Sequence, residues 1–363
     1  MKKWLSKTVL FALLALGCVR PAEERVERDR QVGQAEKAGL DVRIEDGLAV
    51  VRELSASRLV LWGSAPSFSL HLSSDAELDL ELELQNCLPE AELRVVGSAS
   101  AELQVVDSDE TATRKRWRLT AQAGDVALAL AAPDDESRDP FEFALMSDVQ
   151  EAIDGVSDLF ERMNDLPGLR FLLGAGDLTT EGEGDQLERF QRELLDLRIP
   201  YFTTLGNHEL GTRPDRFHDY FGRGNFQFAF HGVSFTLLDS ASASVDPAVY
   251  DWLDVWLGRA KGGVHVVATH IPPTDPFGIR NQSWASRDEA AKFLVKLAEG
   301  RVDLTLYGHV HSYLEFENAG IPAFISGGGG ANPERFDHIG RHFMVFDIDA
   351  ERGVLSHQVV RIE

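Results

Sequence analysis

Five apolar runs from residue 141 onward are each followed by side chains of types that bind metals. The run at 141–146 is followed by Ser147-Asp148-Val149-Gln150, that at 169–173 by Gly174-Ala175-Gly176-Asp177, and that at 201–205 by Gly206-Asn207-His208-Glu209. The run at 264–268 is followed by Thr269-His270, and that at 302–306 by Tyr307-Gly308-His309-Val310-His311. Carboxylate and amide oxygens mixed with imidazole nitrogens suit Mn, Fe or Zn better than Ca or a thiolate-seeking ion. Glycines ahead of the ligands let the backbone turn sharply as it leaves a strand. Each group also has an ordinary structural reading: an Asp after a strand is a turn or helix cap, His270 a satisfied polar residue, Gly-His-x-His a loop, and Gly-Asn-His-Glu a turn. Five such ends in one domain are hard to produce by chance, and together they point to a metal site.

For these ends to meet, the runs must be strands of one layered domain. Buried strands in α/β proteins read as continuous apolar stretches of about 4–8 residues, and ligands gather outside their carboxyl ends. Between the runs, apolar residues recur at helical spacing: Ile153, Val156, Leu159, Phe160 and Met163, then Leu187, Phe190, Leu194 and Leu197, then Trp252, Leu253, Trp256 and Leu257, and finally 287–299. A hairpin-like pair at 226–230 and 233–238 and closing strands at 321–325, 342–347 and 354–360 complete an α/β domain over 141–363, with partly mixed sheets. Ahead of it, from 41 to 132, short runs such as 68–72, 78–84 and 126–130 alternate with period two and no helix intervenes. That pattern predicts a smaller all-β, sandwich-like domain with a structural or positioning role. The polar, proline-bounded residues 133–140 read as the linker between the two.

At 363 residues the chain has room for two domains, and its composition is that of a soluble globular protein except at the start. Lys2, Lys3 and Lys7 precede an apolar run at 9–16, too short to span a bilayer, and then Gly17-Cys18. This is the layout of a secretory signal over residues 1–17. Ala15-Leu16-Gly17-Cys18 resembles the lipobox of bacterial lipoproteins. That resemblance implies a lipid anchor at Cys18 and a place in the bacterial cell envelope, on its periplasmic face or at the cell surface. Secretion with cleavage nearby is the alternative. Residues 18–40, polar and mixed in charge, read as a tether, with a short solvated helix as the competing view. The only other cysteine, Cys87, is most simply a small core hydrophobe. The formal charge of −23 argues against nucleic acid or an anionic membrane surface as a partner, although bound divalent cations can invert the local potential for an anionic substrate.

The order Asp148, Gly176-Asp177, Gly206-Asn207-His208-Glu209, His270 and Gly308-His309-Val310-His311 resembles the signature of the calcineurin-like metallophosphoesterases, over about residues 141–350. Phe221-Gly222, Leu238-Asp239-Ser240, Trp252-Leu253, His270-Ile271-Pro272-Pro273 and the run from Ser326 to Gly330 are supporting matches. The resemblance implies a four-layer α/β sandwich with a dinuclear site for divalent or transition-metal ions, Mn, Fe or Zn. One metal would take Asp148, Gln150, Asp177 and His311, the other Asp177, Asn207, His270 and His309, with Asp177 bridging. His208 would be the catalytic residue, giving a proton to the leaving alkoxide or stabilising the transition state. The family usually has histidine where Gln150 stands. A neutral amide oxygen is a weaker donor, so the first metal is expected to bind less tightly or to favour a harder ion such as Mn2+. Purple acid phosphatases, relatives in the superfamily, also carry a β-sandwich before the catalytic domain, but this chain lacks their tyrosine ligand pattern.

The activity this implies is hydrolysis of phosphate mono- or diesters by a metal-activated hydroxide. The alternative is a catalytically degenerate binding or scaffold lipoprotein of the cell envelope, with the β domain as its working part. Loops 210–225 and 272–287 are the expected substrate-selecting region. Arg213, Arg280, Asn281 and Trp284 are candidate contacts there, or plain surface residues. Glu209 either orients His208 or is a solvated carboxylate.

Overall fold

The computed structural model describes residues 22–97, 100–106, 111–278, 282–334 and 338–362. The signal segment 1–17, Cys18, Arg280 and Asn281 lie outside the described residues.

A first helix, α1 (Ala22–Gln31), leads into ten strands. These are β1 (Gln34–Lys37), β2 (Leu40–Ile44), β3 (Ala49–Leu54), β4 (Arg58–Gly63), β5 (Phe68–Ser74), β6 (Leu78–Gln85), β7 (Glu92–Val96), β8 (Ala101–Val106), β9 (Arg114–Ala121) and β10 (Gly124–Ala131). They form two five-stranded sheets, ordered β1-β2-β5-β10-β7 and β3-β4-β6-β9-β8. The period-two pattern is the reason: in β6, Leu78, Leu80, Leu82 and Leu84 are buried while Asp79 and Glu81 face water.

The second half contains β11 (Phe141–Met146), α2 (Ser157–Asn164), β12 (Leu169–Ala175), α3 (Gly184–Glu193), β13 (Tyr201–Thr204), α4 (Arg216–Phe221), β14 (Phe226–Phe230) and β15 (Val233–Leu238). It continues with α5 (Val249–Ala260), β16 (His265–Thr269), α6 (Arg287–Glu299), β17 (Leu304–Tyr307), β18 (Tyr313–Asn318), β19 (Ile321–Ser326), β20 (His342–Asp349) and β21 (Gly353–Arg361). One sheet has the order β13-β12-β11-β20-β21 and the other β14-β15-β16-β17-β19-β18. Phe143 and Phe171 of the first meet Phe235 of the second at ring-centroid distances of 5.3 and 5.4 Å. Helices α2 and α3 pack on the outside of the first sheet through Leu159, Phe160, Leu187 and Phe190, and α5 and α6 on the outside of the second through Leu253 and Phe293. This is a four-layer α/β sandwich preceded by a smaller all-β unit. Strand β11 is parallel to β12 and β12 to β13, and β15, β16, β17 and β19 run parallel in turn. Carboxyl ends within each set therefore open on one edge, where ligands bind in such sheets.

The two halves share one apolar core that runs from the leucines of β6 to the phenylalanines between the later sheets. Asn86, in the turn after β6, donates from Nδ2 to the Tyr201 carbonyl at 2.8 Å and accepts the Tyr201 N–H at 2.7 Å. It thereby satisfies backbone of β13, an edge strand, from the all-β side. The connector is pinned too: Asp134 takes Arg170 Nη1 at 2.7 Å, and Arg170 lies 4.8 Å over the Phe230 ring. Cys87 is buried, as a core residue would be.

One expectation fails. Residues 18–40 are not a tether from Ala22 onward: α1 is docked, with Arg25 and Asp29 wholly buried, and β1 and β2 already belong to the first sheet. A mixed-charge segment looks solvated in sequence, but two of its charges, Arg25 and Asp29, are buried here against fixed partners.

Candidate metal centre

The strand ends converge. Asp148 follows β11, Asp177 follows β12, Asn207 follows β13, His270 follows β16, and His309 and His311 follow β17. One ligand atom each from Asp177, His270 and His309 lie within 4.8 Å of one another. His270 Nε2 is 3.2 Å from Asp177 Oδ2 and 3.1 Å from Asn207 Oδ1. Beside them, His311 Nε2 is 3.5 Å from Asp148 Oδ1. Gln150 Nε2 lies 2.9 Å from Asp177 Oδ2 and 3.3 Å from His311 Nε2. All seven expected ligands thus share one site. Gln150 turns its amide nitrogen toward Asp177, so service as an oxygen ligand requires rotating the amide about its last bond.

The donor set fits a divalent cation. A backbone carbonyl can only accept, so His270 donates from Nδ1 to the Ala175 carbonyl at 2.7 Å, and His311 from Nδ1 to the Asn332 carbonyl at 2.7 Å. Each contact aims Nε2 into the site and fixes the ring, as the outer contacts of metal-binding histidines do. In its neutral form, His270 Nε2 then points a lone pair at two oxygens, an arrangement that needs a proton or a metal between them. Asp148 Oδ1 is buried without a hydrogen-bond partner among the described residues, while Oδ2 takes the His309 N–H at 2.9 Å and the Ser147 hydroxyl. With only the His311 ring nearby, at 3.5 Å, this buried carboxylate oxygen is incompletely satisfied, and a cation there would complete it.

Backbone strain gathers at the same place. Asp148, Gln150, Asp177 and His309 hold φ of 63°, 48°, 56° and 69°. Such left-handed conformations cost of order 1 kcal/mol or more each for residues other than glycine and cluster at functional sites. Gly206 is required by close approach, since a Cβ there would collide with the backbone and carboxylate of Asp177.

Charges are strongly coupled. Burial opposes ionisation of Asp177, but His270 and His208 outweigh it and hold the carboxyl well below its usual range. Burial likewise lowers His270, yet the carboxylates of Asp177 and Asp148 raise it to about 9. His311 is lifted to about 9 against its burial by Asp148, and His309 is pushed down to about 4 by burial and by His270.

Glu209 is neither surface carboxylate nor partner of the His208 ring. It is fully buried and accepts from the backbone N–H groups of Asp177 (2.9 Å), Thr179 (3.0 Å) and Gly206 (2.9 Å), which ties two ligand loops together. Burial and Asp177 push it up to about 7. His208 stands at the mouth: its N–H donates to Asp177 Oδ1 at 2.9 Å, Nδ1 donates to the Thr180 carbonyl at 2.7 Å, and Nε2 is 3.9 Å from Asp177 Oδ2. Trp284 is not free to stack on a substrate. It is buried, donates Nε1 to the Ile271 carbonyl at 2.9 Å and packs 4.8 Å from Phe293. Arg213 is exposed and paired with Asp215 at 2.9 Å. The glycine run after Ser326 serves close packing, with the Gly327 N–H donated to Ser312 and that of Gly329 to Ser147. Sequence reasoning missed Ser147, whose only signal was its place beside Asp148.

A four-layer fold with this cluster at its sheet edge is that of the metallophosphoesterases, a class of hydrolases. Residues 141–313 match the model of the calcineurin-like phosphoesterase family. The chain is 27% identical over 186 residues to a 3',5'-cyclic-nucleotide phosphodiesterase of Nostoc sp., covering 46% of this chain and 68% of that one. It is 27% identical over 164 residues to a probable cyclic nucleotide phosphodiesterase of Synechococcus sp., covering 42% and 62%. A purple acid phosphatase from yellow lupin seeds has a similar fold, with a TM-score of 0.50 over 82% of this chain and 72% of that one at 12% identity.

Proposed function

We propose that the protein is a metal-dependent phosphodiesterase acting on small diesters, cyclic nucleotides among them. The observation that carries this reading is the convergence of Asp177, His270 and His309 on one point with His208 at its mouth. Asp148, Gln150 and His311 would hold one cation, Asn207, His270 and His309 the other, and Asp177 both. Such cations neutralise phosphoryl oxygens and lower the pKa of water toward neutrality. The chain's own residues do the rest. His208, fixed through Nδ1, holds Nε2 3.9 Å from Asp177 Oδ2 at the edge of the site, and in its protonated form gives that proton to the leaving alkoxide. The buried Glu209 and Ser147 hold the ligand loops still while this happens. The preference for diesters over monoesters draws on the two cyanobacterial relatives.

The test is turnover of cyclic AMP, bis-p-nitrophenyl phosphate and p-nitrophenyl phosphate by Mn2+-loaded protein. His208→Ala should lower kcat about 10²–10⁴-fold with metal content unchanged. Cleavage of no ester, or an active His208→Ala, would sink the mechanism, and turnover of the monoester alone would make the protein a phosphatase. We further propose export and lipid anchoring at Cys18. Cys18→Ser should then move the protein from the membrane fraction to the soluble one, and retention in the membrane would refute the anchor.

A further inference from the structure

Helix α1 is held by buried charge more than by apolar surface. Its buried residues are Arg25, Val26 and Asp29, and the two charged ones, four apart, share one face. Arg25 donates from Nε to Asp239 Oδ2 at 2.6 Å and from Nη2 to Asp239 Oδ1 at 3.1 Å, and also reaches Ser242 Oγ at 3.0 Å. Asp29 Oδ1 accepts from Gly224 N–H at 2.7 Å and His218 Nε2 at 3.0 Å, and Oδ2 accepts from Asn225 Nδ2 at 2.7 Å. Charges taken out of water are expensive unless fully paired, and an apolar helix would dock more cheaply.

What these partners touch suggests why the charges are there. Asp239 directly follows β15, and the next residue, Ser240, accepts the Ile271 N–H at 2.8 Å, beside His270. Gly224, held by Asp29, accepts the Thr204 hydroxyl at 2.8 Å at the end of β13, three residues before Asn207. Asn225 Oδ1 accepts the Asp239 N–H at 2.9 Å and joins the two chains of contacts. They stop at Thr204 and Ile271, three residues before Asn207 and one after His270, whose ligand atoms are 3.1 Å apart. The other half of the centre has outer contacts of its own: Asp148 accepts from the Ser147 hydroxyl, and His311 donates to the Asn332 carbonyl.

We propose that Arg25 and Asp29 are positioning residues for the Asn207–His270 half of the metal centre, so that one cation's affinity depends on α1 and the other's does not. This rests on the metal-site reading above. The test is calorimetric titration of Mn2+ into the metal-free full chain, with bound metal counted by atomic spectrometry. The variants are Arg25→Met and the gentler, near-isosteric Asp29→Asn, with Arg118→Met as control because its pair with Asp79 is exposed on the all-β sheet. Wild type and control should bind two ions. The α1 variants should bind one ion as wild type does and the other about 10–100-fold more weakly, the usual effect of removing an outer support. Equal weakening of both ions overturns the proposal, as does unchanged binding with a lowered melting temperature. If neither variant folds, α1 is a folding element instead, which also overturns it. A wild type that binds no Mn2+ fails at the metal-site reading itself and takes this inference with it.

Discussion

Replacing Glu209 with glutamine keeps the side chain's shape and removes part of its accepting capacity. Oε1 takes the Thr179 N–H at 3.0 Å and its hydroxyl at 3.1 Å, and Oε2 takes the N–H groups of Asp177 and Gly206, both at 2.9 Å. A glutamine NH2 turned toward Oε2's position strands two backbone donors. Turned the other way it strands one, because the Thr179 hydroxyl can rotate and accept. A stranded buried donor costs about 1–3 kcal/mol. Part of this is returned by relief of the repulsion from Asp177 that, with burial, holds Glu209 near 7. The net expectation is a loss of about 1–4 kcal/mol. With an unfolding entropy of about 2 cal/mol/K per residue over 363 residues, that lowers Tm by about 1–5 °C. The larger effect falls on the site, because the stranded donors belong to the loops carrying Asp177 and Asn207: metal affinity or activity should drop about 10–100-fold. Melting curves of metal-free protein and Mn2+ titrations measure both. A Glu209→Gln variant that melts with the wild type and binds Mn2+ unchanged would refute the reasoning.

Three further outcomes are expected. Gly206→Ala should abolish metal binding, measured by metal content, because the added methyl occupies the place of Asp177's carboxylate. His265 is wholly buried and driven by desolvation from 6.5 to about 4, so the folded state favours its neutral form. Its contribution is complete above pH 6.5 and is lost as pH falls from there through 4, up to about 3 kcal/mol in all. Denaturant midpoints between pH 4 and 7 should show a shallower acid slope for His265→Asn than for wild type, and equal slopes would contradict this. Cys87, buried with its thiol pushed up to about 12 by desolvation, should react with Ellman's reagent only after denaturation in the Cys18→Ser variant, where it is the one remaining thiol, so rapid labelling of that variant in its native state would exclude the core placement.

Much of the centre was legible because its chemistry sits in short local words. A strand, a glycine turn and a ligand occupy six or seven consecutive residues, as in the stretch from Tyr201 to Asn207, and such a word keeps its meaning wherever the fold places it. The period-two stretch at 78–84 and the helical spacing at 287–299 were equally readable, becoming β6 and α6. Glu209 and α1 were not. Whether Glu209 faces water or three backbone N–H groups depends on the loop at residues 177–179, about 30 residues away; only its bond to the Gly206 N–H is local. Trp284 was misread for a related reason, since an aromatic in a loop is placed in the core by the helix that packs on it.

The sequence by itself determined the element order, the donor types and the edge to which they belong, because backbone periodicity and turn chemistry act over a few residues. Only the tertiary structure decided which charges are buried and what they brace. A polar helix such as Ala22–Gln31 reads as solvated until Asp239 and Asp29's partners, some 200 residues away, are brought against it. Burial and pairing of charge are properties of contacts between distant segments, and those exist only once the chain has folded.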